Sequence, residues 1–121
     1  MKRTTYDRRS AEQLLPLIRS IASEISDRSD SIEVLEERLL ALRGSWKDGK
    51  PSEDFLNVQS ELSNQRRETR LARLELARLG CSLDEDRPLR VLIPGLDGNF
   101  DSGFAWDGTL NSLVPAAALV S

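Results

Sequence analysis

Hydrophobic residues recur along the first two-thirds of this chain at alternating steps of four and three. They run Leu14, Ile18, Ile21, Ile25, then Arg28, then Ile32, Leu35, Leu39 and Leu42. Nine consecutive seam positions with one polar exception predict a helix with a coiled-coil-like apolar stripe. Ser10-Ala11-Glu12-Gln13 reads as a capping box, which sets this first helix at residues 10–43. Pro16 falls inside it and removes an amide donor, so a bend in the first turns is expected. Gly44 is placed just past the helix end.

Residues 44–51 form a loop by composition, with two glycines, a proline and small polar residues. Ser52 then caps a second helix, expected over 52–79, with Glu53 and Asp54 complementing the positive end of its dipole. Its seam is Phe55, Val58, Leu62, Gln65, Thr69, Ala72, Leu76 and Leu79, and Leu71 and Leu74 widen the stripe. Gly80 is the left-handed residue that ends it, with Cys81 supplying the apolar contact of a Schellman motif.

A short loop between two long helices makes them antiparallel neighbours. A fold-back about residues 47–48 places Arg28 opposite the Gln65–Thr69 stretch, so the polar exception of one seam meets the polar layer of the other. The same register sets Glu24, Asp27 and Asp30 across from Arg66, Arg67 and Arg70, a charge pattern able to fix orientation.

After Gly80 the period changes. Residues 89–93 and 103–106 read as short strands, separated by Pro94-Gly95 and Asp97-Gly98-Asn99 turn signals. The expected fold is mainly α: one domain over residues 1–121, a long antiparallel two-helix hairpin with a short C-terminal extended or β-hairpin tail (81–121). The apolar run at 113–120 either docks or frays.

Composition narrows the chemistry. The chain has 20 acidic and 17 basic residues, a net charge of −3 and no histidine. That removes the commonest general base and transition-metal ligand, and it argues against a general polyanion binder. A lone cysteine excludes an internal disulfide and suits a reducing compartment. The start of the chain lacks the apolar segment of a signal peptide, and no run is long enough to span a membrane. A cytoplasmic location follows as the expectation.

The candidate contact residues are few. Arg66, Arg70 and Arg73 share helical spacing and could meet phosphates, although pairing with the acidic stretch of the first helix explains them more simply. Trp46 at the hairpin tip and Trp106 in the tail could touch a partner, although an apolar plug over the open end of the hairpin explains Trp46 more simply. Asp97, Asn99 and Asp101 alternate like the start of a calcium loop. Ser102 then stands where the turn glycine belongs and no glutamate follows at the twelfth position, so an Asx turn accounts for them. Asp84, Glu85 and Asp86 read as a solvated acidic loop. Cys81 reads as a buried helix-end thiol rather than a reactive one. No catalytic, cofactor or metal constellation is identified.

The Leu14-Leu15-Pro16-Leu17-Ile18 core, the Leu79-Gly80-Cys81 helix end and Gly103-Phe104-Ala105 together resemble an uncharacterised bacterial family, domain of unknown function 2203. The resemblance implies a long-helix layout with an extended tail. It carries no mechanism, because the family has no established activity, and this chain lacks the family's tryptophan–histidine element. Two helices do not enclose a core, so Leu15, Leu17, Leu40, Leu71 and Leu74 outside the seams suggest further burial, through self-association into a homodimeric four-helix arrangement. The function expected from this is a non-enzymatic protein–protein interaction or scaffold protein acting through helical surfaces. The alternative is a nucleic-acid-associated protein using the Arg66–Arg78 face.

Overall fold

The computed structural model describes residues 5–84, 89–108 and 112–119. Two helices, α1 (Arg8–Leu42) and α2 (Glu53–Arg78), form the antiparallel hairpin, and four short strands follow: β1 (Ser82–Asp84), β2 (Arg90–Ile93), β3 (Phe104–Asp107) and β4 (Val114–Pro115). The helices contain 35 and 26 residues.

Helix α1 starts earlier than the Ser10 cap implies. Asp7 is the N-cap: its carboxylate accepts from the Ser10 amide (2.7 Å), and the Ser10 hydroxyl accepts from the Asp7 amide (3.0 Å). Ser10 therefore closes the box from its third position. A carboxylate at the cap also meets the positive dipole end, which a serine hydroxyl does not. Pro16 lies inside α1 without ending it.

The far end of α1 also differs from expectation. Gly44 is not a left-handed terminator; it lies within a short 3-10 turn, Arg43–Ser45, that tightens the end of the helix. The reversal itself is made by Asp48-Gly49, both at positive φ (54° and 73°), with Lys47 and Lys50 exchanging backbone hydrogen bonds of 2.9 and 3.1 Å. This is the geometry that an Asp-Gly pair favours in a two-residue turn.

Ser52 caps α2 by accepting from the Phe55 amide (3.2 Å). Its other end is the expected Schellman motif. Gly80 has φ +80°, its amide reaches the Ala77 carbonyl (3.0 Å), and the Cys81 amide reaches the Leu76 carbonyl (3.1 Å). Tyr6 adds a clasp, its hydroxyl donating to the Leu79 carbonyl at 2.7 Å and tying the start of α1 to the end of α2.

The tail is a four-stranded antiparallel sheet in the order β1-β2-β3-β4, larger than a single hairpin. Strands β2 and β3 fall within a residue of the two expected segments; β1 and β4 lack strand signals. They are three and two residues long, and β4 contains Pro115, a residue tolerated at a sheet edge. Only cross-strand partners make them strands: Leu83 pairs with Val91, and Ala105 pairs with Val114.

Alternation along the sheet aims one face at the hairpin. Val91 opposes Trp106 and Ile93 opposes Phe104, and all four join the hydrophobic cluster made with Ile18, Ile21, Ile25, Ala72 and Leu76. The sheet therefore backs only the base of the hairpin. Leu113, 2% exposed, also packs there, so the C-terminal apolar run docks at least through that residue.

A second, smaller cluster occupies the distal half of the hairpin. It buries Leu35, Val58 and Leu62, with Ile32, Leu39 and Leu42 half-buried against them.

Candidate functional site

Between the two clusters lies a polar layer. The Arg28 guanidinium donates to the Gln65 side chain at 2.9 Å, and Thr69, 1% exposed, donates back to the Gln65 carbonyl at 2.7 Å. The seam register read from the sequence is thus realised: the polar positions of the two helices meet. Arg28 also bonds Glu24 on its own helix at 3.4 Å, while its Nε is buried without a hydrogen-bond partner. Beside this layer is an open groove of about 540 Å³. Ser20, Ser23, Asp27 and Ser31 flank Arg28 and Gln65 within it.

The flanking charges do not pair as the register arithmetic suggests. Glu24 goes to Arg28, Arg66 reaches Glu36 (3.1 Å), and Arg67 turns to Glu68 (3.5 Å) and Asn64 (2.8 Å) on its own helix. A long guanidinium side chain can reach diagonally by a turn or more, and exposed pairs are weak enough that local geometry selects the partner. Arg73 is engaged as well. Arg70 is exposed and makes no ion pair among the described residues. The basic face of α2 is therefore largely internally compensated.

The two tryptophans have different fates. Trp46 at the tip is 43% exposed, with its ring edge-to-face on Phe55 at a centroid distance of 5.1 Å and 87° between planes. It covers Phe55, which is only 6% exposed, and keeps one side in solvent. Trp106, expected as a candidate contact, is buried. At 7% exposure it belongs to the core between sheet and helices, because its position on β3 opposes Val91 on the inward face.

Cys81 is buried in the same core, and burial pushes its thiol up to about 11. The folded state therefore keeps the proton while the unfolded thiol loses it near its ordinary value of 9.0. The stability from this group is intact below that value and is lost as pH rises towards 11. At pH 8 an aromatic disulfide reagent is expected to label Cys81 slowly in the native protein and rapidly in denaturant. Equal rates would show the thiol to be accessible.

The 94–103 loop is organised by Asp97. Its carboxylate accepts from the Ser102 hydroxyl, the Asn99 amide (2.9 Å) and the Asn99 side chain (3.3 Å), which together hold it below the usual carboxylate range. These are turn-forming bonds. Glu85 and Asp86, neighbours of Asp84 in the acidic stretch, lie outside the described residues. Among the described residues no group of three acidic or cysteine side chains is placed to hold a metal ion, and no helix is long and apolar enough to cross a membrane.

What remains is the distal half of the hairpin. Among the described residues its seam has no third layer: Ile32, Leu39 and Leu42 stay half-buried, and off the seam, on the outer side of α1, Leu40 is 64% exposed and Val34 63%. Leu15 packs on the base cluster, whereas Leu17, Leu71 and Leu74 are exposed on other faces. Sequence reasoning singled out Leu40 for lying off the seam. It passed over Val34, which sits between Glu33 and the seam residue Leu35. No protein-family profile, curated protein or solved structure matches this chain.

Proposed function

We propose that this protein is a non-catalytic interaction or scaffold module that uses the distal arm of its helical hairpin as the contact surface. The observation that carries the reading is the unequal covering of one seam. The base is closed by a four-stranded sheet, while three seam residues of the arm, Ile32, Leu39 and Leu42, stay half-buried. Two helices alone do not enclose a core, and a third or fourth helix completes such an arrangement. The partner that fits without further assumption is a second copy, giving a homodimeric four-helix arrangement. A buried free thiol suits a reducing compartment such as the cytoplasm, and the layout is of the kind suggested by the resemblance to domain of unknown function 2203.

Sedimentation at micromolar concentration is expected to show a dimer. The paired substitution Ile32→Gln/Leu39→Gln, at the half-buried seam, is expected to raise its dissociation constant about 100-fold or more, the equivalent of roughly 3 kcal/mol. A wild-type monomer across that range would remove the dimer reading. The exposed Arg70 favours a second reading, association with nucleic acid along α2. Its signature is salt-dependent retention on DNA that is lost in Arg66→Ala/Arg70→Ala.

A further inference from the structure

The two apolar clusters of the hairpin share no residue. On α1 the buried apolar positions stop at Ile25 and resume at Leu35, with Ile32 half-buried before it; on α2 they stop at Leu62 and resume at Ala72, with the Arg28–Gln65–Thr69 layer between and Thr69 the buried polar residue in it. That interruption on α2 spans about 15 Å of helix. The base cluster contains twelve buried residues from both helices and the tail, the arm cluster three from the helices alone.

Cooperativity in a packed structure follows contiguous apolar contact, and segments with little of it open at lower free energy than the rest. The composition of the layer also makes it an inexpensive place to part. Opening the arm hydrates Gln65 and the buried, unpartnered Nε of Arg28, so water satisfies groups that the closed form leaves constrained or unbonded. An apolar seam at the same place would expose hydrocarbon on opening.

We infer that the hairpin is built as two cooperative units joined at the Arg28–Gln65 layer, and that the arm, residues 29–64, opens and closes while the sheet-backed base stays folded. This device does not depend on what binds the arm. Tyr6 and the Schellman end of α2 hold the base together, and the Asp48-Gly49 turn keeps the two arm segments connected at the tip.

Native-state hydrogen exchange on the full chain tests it, run at two protein concentrations so that self-association is read separately. Amides of 32–42 and 55–62 are expected to exchange roughly 100-fold faster than those of 18–25 and 91–93. Arg28→Leu/Gln65→Leu joins the two clusters and is expected to raise arm protection roughly tenfold or more, with base protection little changed. Leu62→Ala serves if that variant misfolds; it is expected to speed exchange in the arm alone. One uniform protection level across both halves, or a Leu62→Ala loss shared equally by the base, would overturn the inference.

Discussion

Gly103→Ala is expected to destroy the tail sheet or unfold the protein. A Cβ at this position would overlap the Ile93 carbonyl oxygen and lie 2.8 Å from the Gly95 amide nitrogen and 2.9 Å from the Pro94 carbonyl carbon. All three are backbone atoms, so no side chain can swing aside. The opposing surface is equally tight: a Cβ on Gly95 would meet the Ser102 carbonyl oxygen at 2.7 Å. Gly103 also anchors its surroundings, its amide reaching Phe100 and its carbonyl accepting from Ala116, both near 3 Å. Relieving the clash therefore means breaking the junction of β2 with β3 and the docking of the C-terminal turn.

Losses above about 4 kcal/mol belong to the tail of single-substitution effects and mark a mechanism of this kind. For a chain of this size that corresponds to a fall in Tm of roughly 15 °C or more, read by circular dichroism. Gly44→Ala is the control. Nothing lies within 4 Å of its added methyl and its backbone is not left-handed, so a change of about 0.5 kcal/mol or less is expected. Equal effects of the two substitutions would show that close packing at Gly103 does not limit stability.

Trp106→Ala is expected to cost about 3–5 kcal/mol, the range for emptying an aromatic site in a core. The indole stands between the sheet and the two helices, in the cluster that holds Ile18, Ile25, Leu76 and Val91. Its removal leaves a cavity bordered by three separate elements, which cannot all collapse inward together. Trp46→Ala has a different expectation. Half in solvent and edge-on to Phe55, it forfeits about 0.5–1.5 kcal/mol of ring–ring contact. Urea unfolding of both variants separates them; if Trp46→Ala proved the costlier, the tip rather than the sheet would be the centre of stability.

The contrast between these tryptophans shows where sequence reading stopped. Trp46 falls in the expected loop at 44–51 and Trp106 in the expected strand at 103–106, but neither local assignment says whether the indole is buried. Trp106 becomes core because β2 and β3 pair in a register that sets it opposite Val91 on the inward face. The same non-local pairing makes strands of Ser82–Asp84 and Val114–Pro115, which are too short to carry a period of their own. The charge pairs slipped for a related reason: exposed guanidinium groups choose among several acids within reach, and differences of tenths of a kcal/mol decide. The candidate surface was only partly legible, because the half-buried state of Ile32, Leu39 and Leu42 depends on where the sheet stops.

The helical hairpin, its Schellman end at Gly80 and the meeting of Arg28 with Gln65 were determined by the sequence alone. Each rests on a short-range rule: the period of a helix, the freedom of glycine to adopt positive φ, or the antiparallel arithmetic of a short loop. Tertiary structure alone decided that the sheet covers the base and not the arm, that Trp106 is interior, and that Gly103 admits no Cβ. Those outcomes depend on which distant segments share one volume, and that is settled by packing, since local preference is blind to it.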